Sequence, residues 1–530
     1  MKRELVVHPF LVASYPVLFL LSNNIRELHF NIVIIPLIII NIFIALIWII
    51  VSKFIKDGEK SSLIISLIAF MFFTYGHFFK LLRALELRYS NLVIYSKNIY
   101  LILIWLVLFI VIIFVVLRCI NANSTKQISY SITLTYFILV IFCLINVCQF
   151  NLLSSKNKLS NKQLLNLKIN NIKPEYEIYN NNTVREPKDI YYLIFDRYAN
   201  ETVLKEYFNF DNSAFLNHLI DNGFYIARDS KANYPRTFLS LASSLNMDYF
   251  YNLKNRISEN ITSFIPVYEL IHNSEVVKIL KSFGYKFINI GGWYHVTSYI
   301  NSADINISYN SYLLFDEFYN NLIQTTILFP IYNKFIGYNL LRNCTQYQLK
   351  KLIEISKSVK VPKFVFAHIL LPHLPYLFKS NGDCFSGLED LRLPEDKKYI
   401  QQLLFTNEEI KKLIESIILN SSSKPIIIIQ SDEGPYILSD FKEFFDTEAI
   451  NWSKLSLDSL KIHLRILNAY YLPDVGKERL LYSSISPVNT FRIIFNLYFG
   501  QNFKLLEDDS YIFEDYSSRP LHLRKIVEKI

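Results

Sequence analysis

The stretch KPIIIIQSDEGP, residues 424–435, carries an unbroken apolar strand directly into two neighbouring acids, Asp432 and Glu433. Four isoleucines in a row are typical of a strand that is buried on both faces. Two like charges at the end of such a strand repel each other unless a positive group lies beside them. The stretch therefore predicts a buried strand whose carboxyl end meets a compensating positive charge.

Three other short apolar runs have the same character, and amphipathic segments separate them. The runs are IYYLIF at 190–195, YKFINIG at 285–291 and KFVFAHIL at 363–370, and one amphipathic segment is NEEIKKLIESII at 407–418. Strands that alternate with helices are typical of an α/β domain with a largely parallel sheet flanked by helices. We predict such a domain over residues 189–530.

Polar residues of metal-binding or acid–base type follow three of these strands. Asp196 follows the first run, His368 and His373 lie at and after the third, and Asp432 and Glu433 follow the fourth. Ligands of open α/β sheets bind at the carboxyl ends of the strands. An acid after one strand is more often a helix cap or a solvated loop residue, and a lone histidine is more often structural. Three such ends together weigh equally for a functional site and for the structural alternative.

A fourth element, NYPRTFLSLASSLN at 233–246, has apolar residues at helical spacing. Pro235 suits the first turn of a helix, which places Thr237 at or near the amino terminus of that helix. Free backbone N–H groups and the helix dipole favour an anion at this position. The alternative is that Thr237 only caps the helix.

A divalent cation would bring these elements into one site. Held by Asp196, Asp432 and Glu433, it would offset the acid pair and lower the pKa of a coordinated Thr237 hydroxyl, which would make that hydroxyl a nucleophile. Oxygen-rich ligands favour manganese or magnesium, with zinc as the alternative. We expect a phosphoryl group between the cation and the helix, with the two histidines near its oxygens or its leaving group. A glycosidase that uses the acid pair is disfavoured, because neighbouring strand residues point to opposite faces.

The first 150 residues hold most of the apolar excess of the chain. Five apolar runs there are candidates for membrane-spanning helices, and they cover about 7–21, 32–51, 63–79, 100–117 and 129–147. The first run follows two basic residues as a secretory signal does, but it lacks a small-residue cleavage pattern, so we predict a retained helix. The predicted organisation is a transmembrane domain at 1–150, a linker or membrane-surface segment at 151–188, and the α/β domain at 189–530.

Charge and cysteine usage exclude some classes of function. The net charge of +9 is spread along 530 residues without a dense basic run, so nucleic acid is not a predicted partner. The distribution of Lys and Arg does not favour an orientation with the amino terminus inside the cell. No CxxC motif occurs, which argues against a zinc knuckle or a dithiol redox site. Cys344 and Cys384 form either a disulfide or two free thiols.

These motifs together resemble membrane-anchored members of the alkaline phosphatase superfamily, of the sulfatase-like or lipoteichoic-acid-synthase-like kind. YYLIFDRYA is similar to the first metal-binding strand of that family, and NYPRTFLSLASSLN is similar to its nucleophile segment. FVFAHILLPHLPYLF resembles its paired-histidine strand, and IIIIQSDEGP resembles its second metal-binding strand. The blocks LRILNAYYLP and ISPVNTFRIIFNLYFG resemble downstream blocks of one bacterial subgroup.

The resemblance implies roles for particular residues. Thr237 would form a covalent phospho-enzyme intermediate. The implied metal ligands are Asp196, Thr237, Asp432 and Glu433. The implied substrate-binding residues are His368 and His373, which would contact substrate or a second metal, together with Arg236, and His463 is a weaker candidate. Because the catalytic domain of the family faces outwards, the resemblance implies a multi-pass protein of the inner or plasma membrane with its amino terminus inside and its catalytic domain extracytoplasmic.

Two departures from the family pattern bear on activity. Many members have Asp-His where this chain has Asp432-Glu433, although a similar Asp-Glu-Gly-Pro form belongs to the subgroup. Sulfatases use a C/S-x-P-x-R motif, and residues 234–238 carry no such motif. A threonine nucleophile fits phosphoryl transfer better than sulfate-ester cleavage.

The leading hypothesis is a metal-dependent phosphotransferase or hydrolase, with transfer favoured. It would move a phosphoglycerol- or phosphoethanolamine-type group from a lipid or lipid-linked phosphodiester donor to a cell-surface glycan or lipid. The alternative is a catalytically inactive scaffold or binding protein in surface-polysaccharide assembly, which the Glu433 departure allows. A transporter is disfavoured because the apolar runs carry few ionisable residues, with His8 and His77 as the main exceptions.

Overall fold

A computed structural model of the chain describes residues 6–25, 28, 30–88, 98–169, 187–253, 264–309, 317–332, 336–358, 361–385, 393–435, 452–474, 480–514 and 522–526. The chain divides into two compact units. The first unit contains Met1–Lys156 together with Tyr312–Gly337, and the second contains Asn157–Ser311 together with Tyr338–Ile530. The chain therefore passes between the two units three times.

The first unit is helical. Its amino-terminal helices are α1 His8–Asn23, α2 Ile34–Phe54, α3 Gly58–Arg88, α4 Asn98–Arg118 and α5 Ala122–Ile169, the last of which continues into the second unit. Four stretches are long and apolar enough to cross a membrane, namely Phe30–Phe54, Gly58–Leu82, Tyr100–Arg118 and Ala122–Phe150. The predicted first span corresponds to α1, which has 16 residues and falls short of the roughly 20 that a span requires.

Burial within this unit indicates which helix is central. In the most apolar stretch of α2, α4 and α5, only 17% is buried, whereas in the corresponding stretch of α3 the buried fraction is 61%. Three long helices thus expose apolar side chains such as Ile39, Val107 and Phe142. A surface of this kind is unfavourable in water and suits the hydrocarbon core of a bilayer. The helix α3 is the one around which the others pack.

The first unit also contains a segment from much later in the chain. Tyr312–Gly337, which we call the returning segment, contains the short helices α13 Glu317–Thr325 and α14 Phe329–Tyr332. It falls inside the stretch 189–530 that the sequence assigns to one domain. Residues 170–186 of the predicted linker lie outside the described part of the chain.

The second unit contains a sheet of seven strands. The sheet is mostly parallel, as predicted. The strands are β1 Ile190–Phe195, β2 Tyr225–Ile226, β3 Lys286–Gly291, β4 Ile305–Ser308, β5 Lys363–Ile369, β6 Ile426–Gln430 and β7 Asn468–Tyr471. Their order is β2-β7-β6-β1-β5-β3-β4. The five strands from β6 to β4 are parallel to one another. On the β6 side, β7 pairs antiparallel with β6, and β2 pairs antiparallel with β7. A small separate hairpin pairs β8 Tyr511–Phe513 with β9 Leu523–Lys525.

Helices cover the sheet. They are α6 Glu201–Phe208, α7 Ser213–Asp221, α8 Thr237–Asn246, α9 Phe250–Leu253, α10 Ile265–His272, α11 Glu275–Ser282, α12 His295–Ser298, α15 Tyr338–Ser358, α16 Glu395–Asn420, α17 Leu457–Leu464 and α18 Pro487–Tyr498. Side chains of alternate strand residues enter two separate apolar clusters, so that Tyr192 lies in one and Tyr191 in the other. This two-sided burial explains why β1 is apolar at every position and why β5 and β6 are apolar except at Lys363, His368 and Gln430.

The four predicted strands and the two predicted helical segments are confirmed. The run IIIIQ forms β6, and 407–418 lies within α16. The cysteines are all free thiols, with Cys344 buried and Cys384 exposed, so the structure contains no disulfide between these two.

Candidate metal centre at the strand ends

The register of the central strands brings the predicted polar residues to one edge of the sheet. On one side of β1, Ile194 pairs with His368 of β5. On the other side, Ile194 pairs with Gln430 of β6. Asp196 lies two residues beyond Ile194, and Asp432 lies two residues beyond Gln430. Parallel pairing in register is therefore what places two acids and a histidine next to one another.

Asp196, His368 and Asp432 form a candidate metal centre. One ligand atom of each residue lies within 4.8 Å of the ligand atoms of the other two, and all three side chains are buried. His368 Nε2 lies 3.4 Å from Asp196 Oδ2. Two carboxylates and one imidazole are a donor set that manganese, magnesium or zinc can accept.

Unsatisfied polar atoms in this cluster fit a bound cation. Within the described residues, Asp196 Oδ1, His368 Nε2 and both carboxylate oxygens of Asp432 are buried without a hydrogen-bond partner. Buried polar groups normally have partners, because leaving one unpaired costs about 1–3 kcal/mol. A divalent ion would satisfy these lone pairs together. The residues present thus fit the divalent metal that the sequence predicts.

The pKa values of the two acids move in opposite directions. Burial alone would raise the pKa of the Asp196 carboxyl, but His373, His368 and Arg197 outweigh burial and hold that pKa below its usual value. Burial raises the pKa of the Asp432 carboxyl well above its usual value, and the charges of Asp196 and Glu433 add to the rise. Asp432 is therefore the acid that most needs an added positive charge.

His368 is held from two sides. Its Nδ1 is hydrogen-bonded to Thr297 Oγ1 at 3.0 Å, which leaves Nε2 on the side of Asp196. Its backbone carbonyl accepts a 2.8 Å hydrogen bond from Gln348 Nε2, which also donates to the carbonyl of Ile290 at 2.8 Å. Contacts of this kind fix the ring orientation of a metal-binding histidine.

Thr237 is the first residue of α8, as predicted, and it is half-buried. Its hydroxyl faces the Asp432 carboxylate and opposes the rise in the pKa of that acid. The contact falls short of full hydrogen-bond geometry, since neither Asp432 oxygen has a described partner. Ser240, one turn later, donates a 2.8 Å hydrogen bond to the backbone carbonyl of Asp432. Arg236 precedes the helix in an extended conformation and is also half-buried.

The Glu433 side chain contacts Arg197 and His463. Its Oε1 lies 3.3 Å from Arg197 Nε, and its Oε2 lies 3.4 Å from His463 Nε2. His463 also donates from Nε2 to the carbonyl of Pro235 at 3.1 Å. The group of ligand atoms around Asp432 does not include Glu433. The role of Glu433 as a metal ligand stays a prediction, and the structure places it in an ion pair beside the site.

His373 lies close enough to the acids to interact with them electrostatically. Burial, followed by the positive charge of Arg197, lowers the pKa of His373 to about 4, although Asp196 and Glu433 oppose the change. The imidazole is therefore neutral near pH 7. Its Nδ1 contacts the carbonyl of the next residue, and its own carbonyl accepts a 2.7 Å hydrogen bond from Gln402.

Comparisons with known proteins give structural matches only. No protein-family model matches the chain, and no curated protein matches it. Solved structures that match include the periplasmic domain of EptC from Escherichia coli in complex with Zn, at 13% identity and a TM-score of 0.40, covering 60% of this chain and 84% of that one. A second is the periplasmic domain of the phosphoethanolamine transferase EptC from Campylobacter jejuni, at 13% identity and a TM-score of 0.35, covering 63% and 95%.

A third match is the phosphonate monoester hydrolase of Agrobacterium radiobacter, at 9% identity and a TM-score of 0.39, covering 63% of this chain and 82% of that one.

Three residues at the site do not follow from the sequence pattern. Arg197 contacts Glu433, Thr297 contacts the His368 ring, and Gln348 holds the His368 backbone. Only Arg197 could have been identified from the sequence, because it directly follows Asp196 at a strand end. It also has a φ of 62°, a left-handed conformation that is uncommon for a residue other than glycine.

Proposed function

We propose that this protein is a membrane-anchored, metal-dependent phosphotransferase or phosphodiester hydrolase with Thr237 as its nucleophile. The observation that carries the proposal is the position of Thr237. The residue begins a ten-residue helix and its hydroxyl faces Asp432, one of three buried residues that could hold a divalent cation. The proposed nucleophile thus lies at the amino terminus of a helix and beside the candidate cation site.

The environment of Thr237 suits a phosphoryl group. The first N–H groups of α8 have no partners within the helix, and the helix dipole adds partial positive charge at the same end. A phosphate at this position would be stabilised by both. Asp196, His368 and Asp432 would hold the cation, which would supply charge stabilisation and lower the pKa of the Thr237 hydroxyl.

Two displacement steps account for transfer. In the first, Thr237 Oγ forms a bond to phosphorus, the bond from phosphorus to the donor alcohol breaks, and the hydroxyl proton leaves with that alcohol. In the second, an acceptor hydroxyl oxygen forms a bond to phosphorus, the bond from phosphorus to Thr237 Oγ breaks, and the proton of the acceptor hydroxyl passes to the threonine oxygen. The neutral His373 would accept or donate a hydrogen bond at an uncharged hydroxyl. Water as the acceptor gives hydrolysis in place of transfer.

The apolar helices favour a lipid or lipid-linked phosphodiester as donor, because they would hold the second unit near lipid headgroups. A phosphoglycerol- or phosphoethanolamine-type group would pass to a surface glycan or lipid. We also propose that the α/β unit lies outside the cell, as the sequence resemblance implies.

The test uses the full-length protein in detergent or in lipid nanodiscs. Metal content is measured first, and turnover of phosphatidylglycerol and phosphatidylethanolamine is then followed with manganese, magnesium or zinc added. Mass spectrometry of the peptide that contains Thr237 detects a substituted phosphoryl adduct. We expect Thr237→Ala to abolish both the adduct and metal-dependent turnover.

Thr202→Ala is the matched control, because Thr202 also lies in the first turn of a helix, α6, and it is half-buried as well. It should retain turnover. Full turnover by Thr237→Ala would refute the threonine mechanism. A protein that binds no divalent metal and turns over neither lipid would favour the inactive scaffold.

A further inference from the structure

The returning segment is packed into the helical unit by several independent contacts. Phe318 is 2% exposed and lies in one apolar cluster with Val17 of α1 and Phe73 of α3. Ile327 and Phe329 pack against a second cluster around Tyr75 and Trp105. The two clusters together bury one face of the segment.

Backbone hydrogen bonding adds to this packing. The N–H of Ile327 donates to the carbonyl of Phe72, a residue inside α3, at 2.9 Å. Tyr319 donates from its hydroxyl to the carbonyl of Ile32 at 3.3 Å. A hydrogen bond to the carbonyl of a helix interior requires the donor backbone to approach the helix closely.

Gly76 is the feature that permits this approach. It lies in α3 one turn after Phe72, and a Cβ atom at this position would lie 1.9 Å from the carbonyl oxygen of Gln324 and 2.8 Å from Thr325 Cα. Both obstructing atoms belong to backbone, so no side-chain rotation could relieve the overlap. Glycine inside a helix is unfavourable relative to alanine, and a close backbone approach is one reason for it to occur there.

We propose that the returning segment is a second attachment of the α/β unit to the membrane helices, seated at Gly76. The partner of this surface of α3 is therefore a segment of the same chain. The attachment is independent of the covalent connection that follows α5, because the segment enters from Ser311 and leaves to Tyr338. It does not depend on any catalytic activity of the α/β unit.

Along the chain, the returning segment is followed by a helix that supports the candidate metal centre. The helix α15 begins at Tyr338, immediately after the returning segment ends. Gln348 of the same helix holds the backbone carbonyl of His368. The chain that leaves the returning segment therefore continues into the helix that supports the backbone of one of the three candidate ligands.

The test cleaves the chain between the two attachments. A site-specific protease sequence is inserted between Asn180 and Asn181, in the Asn-rich stretch of the linker, in the full-length protein with an amino-terminal affinity tag. After solubilisation in mild detergent and cleavage, the fraction of the carboxyl-terminal fragment that co-purifies with the tag is measured. That fragment contains none of the four candidate membrane spans.

We expect the cleaved wild-type fragments to co-purify. Gly76→Ala should reduce co-purification about tenfold or more, in line with overpacking of a close contact. Gly58→Ala is the matched control in the same helix, because a Cβ at Gly58 meets nothing within 4 Å. Helicity of the uncleaved variants is compared by circular dichroism.

Phe318→Ala tests the same contact from the opposite side and serves if Gly76→Ala does not fold. It should also reduce co-purification, whereas Phe54→Ala, which removes an 84% exposed side chain, should not. Separation of the wild-type fragments after cleavage would overturn the proposal. Equal co-purification by Gly76→Ala and Gly58→Ala would overturn it as well, and so would retention in membranes without co-purification in detergent.

Discussion

Arg197 Nε lies 3.3 Å from Glu433 Oε1, so that the residue after Asp196 pairs with the residue after Asp432. The Arg197 side chain is 11% exposed and that of Glu433 is 2% exposed. One acid of the Asp432-Glu433 pair is therefore offset by the chain itself. Asp432 is left with unsatisfied oxygens, which is the condition that a cation would relieve.

Removing Arg197 should destabilise the protein strongly. Arg197→Ala leaves Glu433 buried without its guanidinium partner, and breaking a buried pair in this way costs about 3 kcal/mol. We expect a clear fall in the free energy of unfolding of the full-length protein in detergent, measured by chemical denaturation.

The exposed pair between Arg228 and Glu201 provides the control, with exposed fractions of 46% and 31%. Arg228→Ala should cost less than about 1 kcal/mol, because solvent screens exposed pairs. Equal losses for the two variants would contradict the buried pairing of Arg197.

Asp432→Asn should change stability in opposite directions with and without metal. Without metal the substitution removes a buried charge that is repelled by Asp196 and Glu433, so we expect a higher melting temperature than for wild type. With manganese or zinc added, wild type should gain about 3 kcal/mol at 100 times the dissociation constant, and the variant should gain little.

Asp221→Asn, at an exposed position, is the control for this experiment and should respond to metal as wild type does. Thermal unfolding with chelator and with added metal measures both states. An unchanged metal response in Asp432→Asn would remove Asp432 from the cation site.

Tyr192→Phe should destabilise the packing between the central strand β1 and its neighbour β6. The Tyr192 hydroxyl donates to Gln430 Oε1 at 2.6 Å and lies 3.2 Å from Ser244 Oγ, in a fully buried setting. Its loss leaves the glutamine oxygen without a donor, at a cost of about 1–3 kcal/mol. The free energy of unfolding measures this loss.

The neighbouring Tyr191 offers a close comparison on the opposite face of β1. Its buried hydroxyl lies near Ser421 but has no hydrogen bond of regular geometry to the described residues. Tyr191→Phe should therefore be nearly neutral. A larger loss for Tyr191→Phe than for Tyr192→Phe would count against the hydrogen-bond network.

Gln348→Leu should weaken metal binding without touching a candidate ligand side chain. The substitution removes two 2.8 Å hydrogen bonds to the carbonyls of Ile290 and His368. Loss of such supporting contacts typically costs about 10- to 100-fold in metal affinity. Isothermal titration with manganese or zinc measures the change. Gln401→Leu is the control, because Gln401 is half-buried in α16 and is hydrogen-bonded to the Ser380 backbone, and it should leave affinity unchanged.

The central strands could be predicted because burial on both faces leaves a distinct pattern. β1 is apolar along its length, and β5 and β6 are apolar except at Lys363, His368 and Gln430. The carboxyl ends of these parallel strands meet at one edge of the sheet. The strands β2, β4 and β7 have only two to four residues, which is too short for periodicity to register. Their places follow from tertiary pairing alone.

The polar residues at the strand ends could be predicted in the same way, but their side-chain partners could not. The direction of the Glu433 side chain is set by Arg197 and His463, which are distant in sequence from it. Thr297 and Gln348 reach His368 through the packing of α12 and α15 on the sheet. The returning segment gives no local signal either, since its contacts with α3 cross more than 200 positions of the chain.

A soluble fragment that starts at Asp189 would contain the returning segment without the helices that bury it. Phe318 and Leu322 would then face water, and such a fragment should self-associate or need detergent. Substitution of 312–337 by a short hydrophilic linker should restore solubility while keeping β4 and β5 in the sheet. Recombinant work on the α/β unit thus requires an internal deletion as well as an amino-terminal truncation.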